Sequence, residues 1–212
     1  NPLESKKQLD SLRVRKTDKI DAEKLAMSQF ILNRKPSYVQ EALYQELRDL
    51  SRFYQNLTED IVCAKNRLHK VLQITFPELE NILSAPTGEQ YWNLVITFPC
   101  NSFVLESDDA TLTAIIRQST AKRISEKRVT YLVDKLTKLA NQSYCAVKKT
   151  SPVIEEVKYY AGELLRLSEH RQGVVEEMVT LAQSLPEYEI LLSIPGIAET
   201  TATSIIGELG DI

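Results

Sequence analysis

Two aspartates, Asp18 and Asp21, stand three residues apart among cations in the stretch RVRKTDKIDAEKLA, residues 13–26. On a helix, positions i and i+3 share a face, so the pair could hold one divalent cation or one member of a metal pair. Magnesium takes hard oxygen ligands and offsets the charge that develops during phosphoryl transfer, which is the use nucleases make of such acids. The same residues have a plainer use. Thr17 or Asp18 could cap a helix with Asp21 in its first turn, where the helix dipole favours carboxylates. Spacing alone leaves both readings open. Lys6, Lys7, Arg13, Arg15, Lys16 and Lys19 put six bases into the first nineteen residues. They read either as a grip on a nucleic-acid backbone near the acids or as a solvated basic arm.

Two other stretches carry candidate chemistry. Arg117 to Lys149 holds nine Lys or Arg against two acids, Glu126 and Asp134, although the whole chain has a net charge of only −3. Arg117, Lys122, Arg123, Lys127, Arg128, Lys135 and Lys138, with Tyr131 and Tyr144 interspersed, could track phosphates; a solvated helical face is the alternative. From Thr150 onward the balance reverses, with eleven acids against three bases. The end of the chain reads LLSIPGIAETTATSIIGELGDI. Pro195-Gly196 predicts a tight turn and Thr200 or Thr201 the start of a helix, a helix-hairpin-helix pattern that can aim backbone N–H groups at a phosphate. Gly196, Thr200 and Thr201 are its candidate contacts, and Ala198 stands where such a hairpin usually has a second glycine.

Other chemistries find little support. Cys63, Cys100 and Cys145 are scattered, and His69 and His170 are isolated, so there is no zinc signature, disulfide framework or Cys-His dyad. A Gly-rich phosphate loop is also missing. Scattered thiols and the lack of a long apolar run predict a soluble cytoplasmic protein with no membrane partner.

The elements that would position these groups are helical. Hydrophobic content is 43%, and only six glycines and eight prolines interrupt the chain, which favours an all-α fold. Leu43, Leu47, Leu50, Tyr54, Leu57, Ile61, Ala64, Leu68 and Val71 alternate by four and three, predicting one long helix from near Ser37 to Ile74 with a coiled-coil seam. Val153, Val157, Tyr160, Leu164, Leu167, Arg171, Val174, Met178, Leu181 and Leu185 repeat the pattern between Pro152 and Pro186. The two helices match in length at roughly 50 Å, so they are expected to pair antiparallel as a stalk. Residues 78–150 would form a small helical cap, with short helices at Glu89 to Ile96, Asp109 to Gln118 and Ser125 to Ala140. Leucine seams of this kind are packing, and they leave open whether the stalk closes within one chain or between chains.

Taken together, NPLESKKQLDSLRVRKTDKIDAEKLA, the long helical middle and the terminal hairpin resemble the DEDD transposases of bacterial insertion sequences, the pilin-gene-invertase-related group that includes the bridge-RNA-guided recombinases. The resemblance spans essentially the whole chain, and KTDKIDA is its more specific motif. It implies that Asp18 and Asp21 are the third and fourth acids of a RuvC-like, Mg²⁺-dependent site, whose first two acids lie outside this sequence. It also implies residues 1–35 as the end of the catalytic domain, 36–185 as a coiled-coil stalk with its cap, and 186–212 as the start of a transposase domain.

The function implied is DNA strand cleavage and joining during transposition, with DNA and a structured guide RNA as partners and a homodimer or higher oligomer built through the coiled coil. Beginning on Asn1 and stopping after a helical pattern, the sequence is expected to be the central piece of a longer enzyme and inactive by itself. A non-enzymatic coiled-coil scaffold or nucleic-acid-binding adaptor is the competing reading.

Overall fold

A computed structural model describes Lys19, Ala22, Glu23, Ala26, Met27 and residues 41–210. The chain divides into two compact units, Asn1–Gln40 and Glu41–Ile212. In the first, the described residues are helical and exposed. The described residues of the second are helices and turns with no strand, as the composition predicts.

The second unit is organised by two long helices, α1 (Ala42–Thr75) and α6 (Pro152–Ala182), which pack on each other. Three contacts fix their sense. Tyr44 at the start of α1 donates from its hydroxyl to Glu187, just beyond the end of α6, at 3.3 Å. Phe53 meets His170 edge to face. At the far end the Ala146 N–H, shortly before α6, donates to the Ile74 carbonyl at 3.0 Å. The helices are therefore antiparallel. Pro152 sits in the first turn of α6, where its missing N–H costs no hydrogen bond, and Pro77 follows the end of α1. The expected start near Ser37 lies outside the described residues.

The alternating leucine pattern is the interface. Leu47, Leu57, Ile61, Ala64, Leu68 and Val71 of α1, and Val157, Leu164, Leu167, Val174 and Met178 of α6, are buried. Arg171, the polar member of the second seam, is half-buried, and its guanidinium lies 5.9 Å from the ring centroid of Tyr54, a seam residue of α1. It fills its place in the stripe by a cation–π contact. The buried stripe is wider than the heptad positions alone, taking in Tyr44 and Ser51 on α1 and Ile154, Ala161 and Ala182 on α6. Each long helix faces more than one neighbour, because α2 (Glu89–Thr97) packs on α6 while α8 (Glu199–Leu209) packs on both α1 and α6.

Between the long helices lies the cap. A 3₁₀ turn at Pro77–Asn81 leads to α2, α3 (Asn101–Leu105), α4 (Asp109–Gln118) and α5 (Glu126–Gln142). Its core holds Phe76, Leu79, Tyr91, Trp92, Leu94, Phe98, Leu132 and Leu136. Two asparagines close helix C-termini, where carbonyls lack intrahelical donors. Asn93 Nδ2 donates to Ser119 O at 2.9 Å, past α4. Asn101 Nδ2 donates to Ala140 O at 3.1 Å and Ser143 O at 2.7 Å, around the end of α5. Asp108 caps α4 by accepting from Thr111 N–H at 3.1 Å.

At the opposite end α7 (Pro186–Leu192) and α8 fold back on the long helices. A Cβ placed on Gly207 would lie 2.9 Å from the Leu47 carbonyl oxygen, so the glycine lets two helix backbones touch. Arg48 then donates to the Gly207 and Glu208 carbonyls at 3.0 and 3.2 Å, closing the C-terminus of α8 from α1. Gly207→Ala is expected to lower stability by about 1–3 kcal/mol through overpacking. Gly173→Ala, on an exposed part of α6 with open space around the position, is expected to raise it by about 0.5–1 kcal/mol. Thermal unfolding of the two variants should move the midpoint in opposite directions; a neutral Gly207→Ala would contradict the close approach.

Candidate nucleic-acid interface

Among the described residues, the cap gathers most of the exposed positive charge. α4 ends at Gln118, the loop 119–125 follows, and α5 begins at Glu126. Lys122, Arg123, Lys127 and Arg128 are all exposed on this loop and the first turn of α5. Arg117 differs from them, because it donates to both carboxylate oxygens of Glu126 at 2.5 Å. That ion pair, made through one guanidinium nitrogen, ties the end of α4 to the start of α5 and partly neutralises the guanidinium. An open depression of about 430 Å³ lies over the loop, lined by Arg117, Thr120, Ala121, Lys122, Arg123, Ile124, Ser125 and Glu126. The N-terminus of α5 adds its dipole to these side-chain charges.

The basic surface continues along α5 through Lys135 and Lys138. Lys135 donates from its ammonium to the Ile82 carbonyl at 3.1 Å, which pins the charged group itself against the cap. Lys149 is engaged differently: it pairs with Glu106 and sits 4.8 Å from the Phe103 ring centroid. Thus Lys122, Arg123, Lys127, Arg128, Lys138 and Lys148 are the cations of this stretch that are exposed and outside those ion pairs.

The hairpin has the predicted turn but a different electrostatic setting. Gly196 takes φ +93°, a left-handed conformation suited to glycine, and the Ile197 N–H closes the turn on Ile194 O at 3.1 Å. Ala198 is extended, with φ −95°, so its position requires no second glycine. α8 opens at Glu199, one residue before the expected Thr200 or Thr201. Thr200 is half-buried and Thr201 exposed. Glu187, Glu189 and Glu199 are carried on the first turns of α7 and α8, and no Lys or Arg occurs between residues 172 and 210. Burial, followed by Glu199 and Glu189, holds the Tyr188 phenol above its ordinary pKa. A phosphate approaching the N-terminus of α8 would meet carboxylates first, which opposes the attraction of the free N–H groups.

Of the amino-terminal candidates, Lys19 is helical and exposed. Asp18, Asp21, Arg13, Arg15 and Lys16 lie outside the described residues. Among the described residues no group of three or more His, Cys, Asp or Glu is placed to hold a metal ion, and no helix is long and apolar enough to cross a membrane.

Residues 1–77 match the DEDD transposase family model of the IS110 type, described as "Transposase". Over that segment the chain is similar to the IS110-type DEDD transposases. The match takes in KTDKIDA and the whole of α1, and it ends where the cap begins. The role that goes with it is that of a transposase or recombinase. No curated protein and no solved structure matches the chain.

The asparagines that brace the cap and the ion pair between Arg117 and Glu126 escape sequence reasoning, since each joins segments with no local signal. The thiols are more easily ranked once the fold is known. Cys63 is exposed, whereas burial, followed by a hydrogen bond with Cys100, pushes the Cys145 thiol up to about 11. At neutral pH Cys145 therefore holds very little thiolate. Alkylation of the folded protein followed by peptide mapping is expected to modify Cys63 first; equal labelling of Cys145 would contradict this order.

Proposed function

We propose that this chain is part of a DNA transposase that cleaves and joins strands with a divalent metal, Mg²⁺ being the ion suited to its carboxylates. The observation that carries the reading is the family match over residues 1–77, which contains Asp18 and Asp21 in KTDKIDA. In the full-length protein these two carboxylates serve as hard oxygen ligands, and the remaining acids come from outside this sequence. Bound there, the ion would stabilise charge on the attacked phosphate. Lys19 and the neighbouring Arg13, Arg15 and Lys16 would draw the nucleic-acid backbone toward the acids.

The second unit supplies grip and spacing in this reading. Its antiparallel helices act as a coiled-coil stalk that sets the basic cap away from α7 and α8, and the cap binds the nucleic-acid backbone through Lys122, Arg123, Lys127 and Arg128. The exposure of these cations and their position at a helix N-terminus support that role. DNA is the substrate, and a structured guide RNA and a second copy are further partners. The hairpin, surrounded by carboxylates, serves chiefly to dock α8 on α1.

Two measurements test the proposal. In the full-length protein, Asp18→Asn or Asp21→Asn is expected to lower metal-dependent strand cleavage by at least about a hundredfold, since even the supports of metal ligands matter by up to that much. Full activity in either variant would refute metal ligation. The 212-residue chain by itself should bind Mg²⁺ weakly, and tight one-to-one binding in a titration would contradict a site completed from elsewhere. For the cap, replacing Arg123, Lys127 and Arg128 by Glu should weaken duplex binding. The slope of log affinity against log salt should become shallower by about 0.9 for each phosphate that the variant no longer neutralises. An unchanged slope would remove these residues from the interface.

A further inference from the structure

Outside the first turn of α5, one face of this helix has a composition that simple phosphate binding does not explain. Tyr131, Asp134, Lys135, Lys138 and Gln142 recur at helical spacing, opposite the buried Val129, Leu132, Val133, Leu136 and Ala140. Tyr131 is 50% exposed. Its ring is nevertheless held, with the Arg128 guanidinium 5.2 Å and the Lys135 ammonium 5.9 Å from the centroid. Those are cation–π distances, and Lys135 is anchored in turn to the Ile82 carbonyl. Beside the ring is an open depression of about 450 Å³, lined by Tyr131, Asp134, Lys135, Lys138, Leu139 and Gln142.

Each part of this arrangement can be matched against an occupant. A duplex would use the cations through its phosphates but offer the ring nothing, since its bases are already stacked. An acidic peptide would use the cations as well, yet it would leave the flat ring and the apolar floor at Leu139 without a planar partner. An unpaired nucleotide engages all of them. Its base stacks on a ring already fixed in place, so little freedom is lost. Its flanking phosphates meet Lys127 and Lys138. Gln142 and Asp134 offer both donors and acceptors to the base edge, and the Asp134 carboxylate, the one acid in the depression, disfavours a phosphate entering it.

We infer that this face of α5 is a binding site for unpaired nucleotides, with a base stacked on Tyr131 and the adjoining backbone held by Lys127 and Lys138. The inference rests on the reading of the cap as a nucleic-acid interface and goes further by naming the form of nucleic acid. Single-stranded DNA and unpaired RNA share the required chemistry.

The test uses the 212-residue chain and fluorescence anisotropy at low salt, with three labelled probes of about 15 nucleotides: an unstructured DNA strand, an unstructured RNA strand and a DNA duplex. Tyr131→Ala is expected to weaken binding of at least one unpaired strand by about tenfold, leaving duplex binding unchanged, and Tyr131→Phe is expected to restore it. The strand that shows the weakening identifies the source. Equal effects of Tyr131→Ala on all probes, or no effect on either unpaired strand, would overturn the stacking site while leaving the basic cap intact as an interface. If no probe binds at all, the cap is not a nucleic-acid interface and both readings fall.

Discussion

Everything described in residues 41–210 depends on one apolar contact, the antiparallel burial of α1 against α6. Neither helix is stable by its own propensity at this length in water to the extent a folded unit requires; the seam supplies most of what holds them. Leu47 and Leu164 are fully buried in it. The cap can be built from short helices because its outgoing and returning chain segments are already held together at the Ile74 and Ala146 hydrogen bond. α8 likewise finds a firm surface to dock on, because α1 is braced from behind.

That arrangement also separates charge. The cap carries exposed cations on the loop before α5 and along its outer face, whereas the segment from residue 172 to 210 has no cation. An antiparallel pair places these at opposite ends of the long helices. The two ends of the pair therefore differ in the sign of the charge they present. The hairpin motif and its surroundings thus point in different directions. Its turn is the tight one expected at Pro195-Gly196, but the acids of α7 and α8 surround it, and α8 is docked on α1 through Gly207 and Arg48.

Much of the helical framework was legible in the sequence because it is written at short range. The four-three alternation located both long helices, and Pro152 and Pro186 bracketed the second of them. The expected Asp109 to Gln118 helix is α4 itself. Less was legible where one segment meets another. Tyr44 and Ser51 are buried though they stand off the heptad stripe, because burial there is set by additional neighbours. Gly207 reads as an ordinary helical glycine until the Leu47 carbonyl is found beside it. In the cap, the basic run was visible, but the sequence could not tell that Arg117 is engaged by Glu126 or that Tyr131 borders a depression. Asp18 and Asp21 are the reverse case, legible as a motif and outside the described residues.

The docking of α8 on the first turns of α1 has a consequence for how such a chain can vary. Gly207 touches Leu47, so the backbone sets out on its long excursion and returns from it at one place. A pair of matched seven-residue insertions, one in α1 and its complement in α6, would lengthen the reach of the cap without shifting that junction. The excursion behaves as an adjustable arm: its span can be retuned by paired seven-residue steps, while the register of everything at its root stays fixed.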